Sequence, residues 1–388
     1  MTSLVAQIDA FHEQAAKATG FDDFGPPEYT APLKLLLGDF DRYEDFNAAT
    51  EQLVSGAIVL LLISRLCAQQ GFKQHPALTT APVQKPLIIL GMPRTGSTAL
   101  QRLLAKDPAN QWITPWLGNT PMPRPPRATW ESNPWYQMTA QGLQQFYGIF
   151  PELMGVHPMI ADQADECRYG MEPSFWSPAL AFAGTLGRDY AQWIPQSDAR
   201  YAYRYYRRIL GLIAGGDQRR WLLKDPTTHP WAPQALIETF PDANFVYTHR
   251  EPVTAIASMS AMLYVVRHAR TPRLSPQQNA REQLAFTAPA VSELDKMLQS
   301  LGPNRVFHVH INELNADPVG TAQRIYGHFK LPVTQEALDG WQHHVTSDAR
   351  AGHGLHQYTS EELELSPREV YDAFGAYTET YRRLYELR

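Results

Sequence analysis

The sequence predicts an α/β fold in which a central, mainly parallel sheet is flanked by helices in three layers and carries a helical N-terminal extension. Three observations predict it. Four short apolar runs each end in polar or turn residues and lead into helical spacing, the pattern of parallel strands with crossover helices. The first run is followed at once by two glycines with four residues between them, which suits a tight strand-to-helix turn. The first 80 residues carry apolar side chains at helical spacing and no strand signal. On this reading residues 1–80 form a helical extension packed on an α/β domain over residues 81–388, the two making one structural unit.

In the extension, Leu4, Ile8 and Phe11 share one helical face, residues 21–32 read as a Gly/Pro-punctuated loop, and a second helix is expected from about residue 46 to 70. Pro82 and Pro86 bracket the entry to the first strand, Leu87-Ile88-Ile89-Leu90. Gly91 and Pro93 stop it, and residues 97–104 resume at helical spacing. Residues 112–206 are rich in Pro, Trp, Tyr and Met; 121–126 read as irregular and 190–212 as one long helix. Trp221-Leu222-Leu223 then leads to a helix near 232–240. Residues 244–248 lead through Glu251-Pro252 to a helix over 253–266, where Pro252 suits the first turn because its missing N–H would be unpaired there anyway. A last strand, 306–311, precedes a helix near 319–329.

Bulk properties narrow the function. A chain of 388 residues, 44% hydrophobic, can bury one large core or two modest ones. A net charge of −5, from 34 basic and 39 acidic residues, argues against broad electrostatic binding to nucleic acid. Two cysteines, Cys67 and Cys167, do not make a disulfide framework, so a reducing cytoplasm is expected. Asp9 and Glu13 with no basic segment ahead of an apolar core do not read as a signal peptide. The apolar stretch 53–66 is interrupted by Ser55, Gly56, Ser64 and Arg65, short of the roughly 20 residues a membrane span needs, and is expected to be a buried helix rather than a transmembrane segment. Nothing in the sequence speaks to oligomeric state.

The chemistry concentrates at strand ends. Gly91-Met92-Pro93-Arg94-Thr95-Gly96-Ser97-Thr98 lets the backbone turn tightly and aim N–H groups at an anion, with the positive end of the following helix dipole behind it. Arg94 adds a planar donor fork, and Ser97 and Thr98 add hydroxyls. The triphosphatase version of this loop has lysine where Ser97 stands, and no strand ends in an aspartate placed for magnesium, so triphosphate cleavage is poorly supported. The alternative is a glycine-rich turn without a ligand. Thr248-His249-Arg250-Glu251-Pro252 closes another strand, with Ser258 two turns into the next helix. Arg250 can there take a second phosphate with Ser258, or simply pair with Glu251. Trp221 to His229 ends a third strand with Lys224, able to neutralise a leaving oxygen, and His229, able to take a hydroxyl proton near its ordinary pKa of about 6.5.

These residues resemble the sulfotransferase family that uses 3'-phosphoadenosine 5'-phosphosulfate (PAPS), most closely its bacterial branch with a Pro-Arg-x-Gly-[Ser/Thr]-Thr loop. Pro93-Arg94-Thr95-Gly96-Ser97-Thr98 resembles the 5'-phosphosulfate loop, and Thr248 to Pro252 with Ser258 the 3'-phosphate site. Trp221 to His229 is similar to the lysine-then-histidine segment near the sulfuryl group. Asn312-Glu313-Leu314 with Asp317-Pro318, and Arg350-Ala351-Gly352-His353 through His356 and Tyr358, resemble later segments, the second a cofactor-covering loop contributing Arg350 and Gly352. Arg94 stands where cytosolic members have lysine, Arg-Ala-Gly replaces Arg-Lys-Gly, and His229 follows Lys224 by five residues rather than two.

The resemblance implies a P-loop-like fold and in-line transfer of a sulfuryl group from PAPS to an acceptor hydroxyl, with no metal and with Arg94, Lys224 and the loop N–H groups balancing charge on the bridging and sulfuryl oxygens. His229 is the first candidate for the general base and Glu166, in Asp165-Glu166-Cys167-Arg168, the second; a surface carboxylate capping a helix is the plainer reading of Glu166. Trp116, Trp130, Trp135, Tyr136, Phe146, Tyr147, Phe175 and Trp176 suggest a small or lipid-like apolar acceptor, or else simply pack the core. Two rivals stand beside this reading: a small-molecule kinase using the same loop, and a non-catalytic nucleotide-binding protein.

Overall fold

In the computed structural model, which describes residues 3–43, 47–348 and 359–385, five parallel strands form one sheet. They are β1 (Leu87–Gly91), β2 (Asn110–Gln111), β3 (Arg220–Lys224), β4 (Asn244–His249) and β5 (Val306–His310), in the order β2-β3-β1-β4-β5. Four coincide with the predicted runs. The two-residue β2, pairing Asn110 with Arg220 and Gln111 with Trp221, is too short to leave a periodic signal.

Side chains alternate between two faces, as a pleated strand requires. Ile88, Leu90, Leu223, Phe245 and Tyr247 enter one apolar cluster, while Leu87, Ile89, Leu222, Val246 and Val309 enter another. Both faces are therefore covered, and the strands read as apolar runs rather than alternations. The first cluster also takes in Phe11, Leu33, Leu37, Leu62 and Leu66, so the N-terminal helices share the core of the α/β part.

The extension contains Ile8–Thr19, Thr30–Asp41 and a 27-residue helix Ala48–Gln74, longer than the stretch expected from sequence. Asn47 caps that helix, accepting from the amides of Ala49 and Thr50. By length and composition it could cross a membrane, but half of its apolar window is buried in the fold, where it packs against the helix Ile8–Thr19. The long helix expected over 190–212 is two: Asp189–Trp193 and Arg200–Ala214, separated by a turn containing Pro195, which has no N–H to continue the ladder. The helices Pro134–Ile149 and Pro276–Ser300 were not foreseen, although each begins on a capping residue followed by proline.

From β1 the chain runs to β2 and β3 on one side and then crosses to β4 and β5 on the other. The loop after β1 thus lies where the strand order reverses, the crevice in which open α/β sheets bind ligands.

Candidate active site

The loop over residues 92–96 leaves β1 and delivers its backbone to the start of the helix Ser97–Leu104. Gly91 is required by space: a Cβ there would lie 2.5 Å from Thr248 Oγ1 and 2.6 Å from its carbonyl oxygen. Thr95 and Thr248 Oγ1 atoms sit 2.6 Å apart and tie the first loop to β4; Thr248 also donates to Leu90 O at 3.0 Å. Arg94 has φ +70°, a left-handed conformation that costs about 1–2 kcal/mol in a non-glycine residue and is held at functional turns.

Arg94 reaches toward the helix Pro252–His268, donating Nε to Ser258 Oγ at 3.2 Å and Nη1 to Val156 O at 2.9 Å. Arg250 donates to the Arg94 carbonyl oxygen at 3.2 Å. The structure therefore brings the two separately read anion sites into one cradle. Burial lowers the pKa of both guanidiniums, and Arg250 lowers that of Arg94 further. Among the described residues neither has a carboxylate within salt-bridge distance. Glu251 does not supply one, because its carboxylate accepts from the amides of Val253 and Thr254 and from Tyr371.

At the end of β3, Lys224 is fully buried and donates to Thr98 Oγ1 at 3.0 Å and to Glu166 Oε1 at 2.9 Å. Glu166 is not a surface carboxylate: it is 4% exposed and caps no helix. Its Oε2 accepts from Arg168 Nε at 3.1 Å, and Arg168 Nη1 continues to Glu172 Oε1 at 2.9 Å. Burial alone would raise the Glu166 pKa, but the charges of Lys224, His157 and Arg168 more than offset it and the net direction is downward. Burial holds His157 below its ordinary value, although Glu166 nearby pulls it the other way. Burial, then the Glu166 charge, pushes the Asp225 carboxyl upward.

His229 has no hydrogen bond to Lys224 or Glu166 among the described residues. Its ring is fully buried, Nδ1 is 2.8 Å from the Tyr203 hydroxyl, and Nε2 has no partner among the described residues. Burial pushes its pKa down to about 3. Ser97 is buried at the first position of the loop helix. Arg350 and Gly352 lie outside the described residues. Of the aromatic residues, Trp116, Phe175 and Trp176 are fully buried in the main core, while Tyr147 and Phe146 join Phe150, Leu153, Met159 and Met262 in a small cluster beside Arg94. Arg168 and His157 were not singled out from sequence. The i,i+4 spacing of Arg168 and Glu172 was a readable sign of the first, whereas His157 carries no local signal.

Two guanidiniums without ion-pair partners among the described residues thus stand at the switch point of a parallel sheet, beside a buried carboxylate–ammonium pair. A model of the sulfotransferase family matches residues 86–335, and the chain belongs to that family. Its sheet and helices superpose on sulfotransferase STF1 from Mycobacterium tuberculosis with a TM-score of 0.85 and 30% identity, covering 96% of this chain and all of that one. Sulfotransferase STF9 from Mycobacterium avium shares the fold, with a TM-score of 0.86 at 24% identity over 98% of this chain and 97% of that one. Among curated proteins, the omega-hydroxy-beta-dihydromenaquinone-9 sulfotransferase Stf3 of Mycobacterium bovis is 20% identical over 305 residues, 76% of either chain. The chain is a sulfotransferase, and the reaction it catalyses is sulfuryl transfer.

Proposed function

We propose that this sulfotransferase takes the sulfuryl group from PAPS and passes it to a hydroxyl of an apolar, lipid-like acceptor, with Glu166 as the general base. The observation that carries the reading is the bridge made by Lys224, one ammonium bonded both to Thr98 at the phosphate loop and to Glu166. Residues 93–98 receive the 5'-phosphosulfate, and Arg250, Ser258 and Arg94 receive the 3'-phosphate. The acceptor oxygen attacks sulfur in line as its proton passes to Glu166. The S–O bond to the 5'-phosphate breaks, and adenosine 3',5'-bisphosphate leaves with the electron pair on the former bridging oxygen. Lys224 and the loop N–H groups balance that charge; as it grows, it draws Lys224 from Glu166 and frees the carboxylate to hold the proton.

Glu166 is preferred over His229 because Lys224 links it directly to Thr98 at the phosphate loop, whereas the fully buried His229 ring is bonded to Tyr203. The role of His229 on this reading is to support the end of β3. The lipid-like acceptor is supported by the apolar cluster at residues 146–159 next to Arg94, by the exposed Ile149, Met154 and Ile160 on the same segment, and by the menaquinone derivative in the curated relative's name. Buried, unpaired Cys67 and Cys167 fit a reducing cytoplasm.

The test uses sulfur-35-labelled PAPS with three acceptor classes: long-chain alcohols, phenols and sugars. Labelled product from the apolar alcohols supports the reading, and transfer to sugars alone overturns the acceptor assignment. Adenosine 3',5'-bisphosphate at ~100 times its dissociation constant should add about 2.7 kcal/mol of stability. Stronger stabilisation by ATP with magnesium would favour the kinase, and bisphosphate binding without transfer to any acceptor a non-catalytic role.

A further inference from the structure

A cavity of about 240 Å³ lies on the far side of the helix Arg200–Ala214 from the transfer site, walled by the helix Ala48–Gln74 and the turns Pro27–Tyr29 and Glu172–Ser174. Tyr203 approaches His229 from that helix, whereas Tyr201, Arg204, Tyr205 and Arg208 line the cavity. The two sites are thus on separate faces of one element.

Arg65 forms the floor. It is 4% exposed, and its guanidinium donates to the carbonyl oxygens of Phe24, Pro173 and Pro26 at 2.6, 3.2 and 2.8 Å. It lies 4.0 Å over the Tyr29 ring and 5.2 Å from the Tyr205 centroid. Three of its five N–H groups are used, and among the described residues no carboxylate lies within salt-bridge distance. Two further polar atoms of the lining are buried without partners there: Nε2 of Gln69, itself 5% exposed, and the Tyr205 hydroxyl. A buried polar group left unmade costs about 1–3 kcal/mol, so two such groups in the lining of one cavity, beside the Arg65 guanidinium, call for a common acceptor. At the mouth, Arg204 and Arg208 have no ion pair among the described residues, and Glu28 is the one acid in the lining. Three guanidiniums face one carboxylate.

We propose that this cavity is a second ligand site, apart from the transfer site, that takes a small organic anion: an oxyanion head met by the arginines and the Tyr205 hydroxyl, and an apolar body of one ring between the tyrosines. The volume, about eight times a water molecule's share of liquid, suits a single ring with a short arm. The head must be an acceptor, because every unpartnered group is a donor or can donate. The proposal does not depend on the donor or the base assigned above.

The test uses the full chain saturated with adenosine 3',5'-bisphosphate, which closes the transfer site to anions. Phenyl phosphate and phenylacetate are titrated by calorimetry and ligand-observed NMR, with benzyl alcohol and inorganic phosphate as controls. Either aryl anion should bind, benzyl alcohol should not, and inorganic phosphate should bind more weakly. The double variant Arg204→Ser/Arg208→Ser should weaken binding about tenfold or more, as removal of charge-assisted bonds does, with only a small fall in Tm from loss of the partly buried Arg208 guanidinium over the Phe72 ring. Tyr205→Phe should weaken it severalfold while Tm stays level or rises, because the deleted hydroxyl is unpaired in the free protein. Failure of both aryl anions to bind, equal binding by the double variant, or displacement of the probes by the bisphosphate overturns the site. Inorganic phosphate binding as tightly as phenyl phosphate overturns the apolar body.

Discussion

Replacing Glu166 by glutamine tests the base assignment most directly, because glutamine keeps the shape and removes the proton acceptor. A positioned general base contributes about 10²–10⁴ in rate, so kcat should fall by that factor while binding of adenosine 3',5'-bisphosphate changes little. The variant also has a structural cost. Lys224 is fully buried and Arg168 partly so, and deleting one partner of a buried ion pair costs about 3–5 kcal/mol. The lower end is expected: Arg168 keeps Glu172, and Lys224 keeps Thr98 and the amide oxygen of glutamine. Against a typical stability of about 5–15 kcal/mol the variant stays folded, so single-turnover transfer should be measured with the bisphosphate product competed off, well below the variant's Tm. His229→Phe is the matched control: it loses the Tyr203 bond and should lower Tm while keeping kcat within a few-fold. If the folded Glu166→Gln protein turns over at more than a tenth of the wild-type rate, or if His229→Phe is the variant that loses transfer with bisphosphate affinity intact, the reasoning is wrong.

Lys224→Gln removes the largest favourable charge on Glu166 and should raise that carboxyl's pKa, so the acid limb of the residual pH–rate profile should move to higher pH; an unmoved limb would separate Lys224 from the base. Arg94→Ala and Arg250→Ala should each weaken adenosine 3',5'-bisphosphate about ten- to a hundredfold by calorimetry, with Ser258→Ala weaker in effect, since bonds to a charged group are worth about 1.5–3 kcal/mol. Acid should destabilise the fold through its buried neutral histidines. His229 and His308 titrate at about 3 and about 4 in the folded chain and about 6.5 unfolded. The unfolded state therefore binds more protons below pH 6.5, and stability falls from there until the folded values are passed. The loss is about 2 kcal/mol for each such histidine at pH 5, read as a drop in Tm between pH 7 and pH 5.

The parts of this protein legible in its sequence are those made by neighbours in the chain. The turn at residues 91–98 declares itself because its glycines, arginine and hydroxyls lie in one octet. Each long strand shows as an apolar run because both sheet faces are covered. Arg250 and Ser258 could be placed beside that turn because parallel strands all end on one edge. Glu166 could not be ranked in the same way. Its partner Lys224 is 58 residues away, and the segment between them has no period from which to infer that the two meet. Composition alone favours a surface carboxylate there, since glutamate is almost never fully buried unless paired. His229 was attractive for the opposite reason: its spacing from Lys224 is visible, while the Tyr203 hydroxyl and the closed space around it come from a helix in another part of the chain.

The charges at the sheet edge fall into two groups that do different work. Arg250 is held close enough to Arg94 to lower its preference for charge, and among the described residues no carboxylate lies within salt-bridge distance of either, Glu251 acting on Arg250 only from further off. A site in that state is stabilised by an anion that fills it, and on the proposed reading one phosphate reaches both guanidiniums. Lys224 and Arg168 are in the reverse condition, already neutralised by Glu166 and Glu172. A free anion gains little there, and the charges become available only when the reaction places a new negative oxygen beside Lys224. On the proposed mechanism, binding and chemistry are thereby separated along the same edge. The unpaired cations would hold the donor before anything reacts, and the paired ones would respond to charge that exists only as the bond breaks, which is the condition under which an interaction lowers a barrier instead of deepening a ground state.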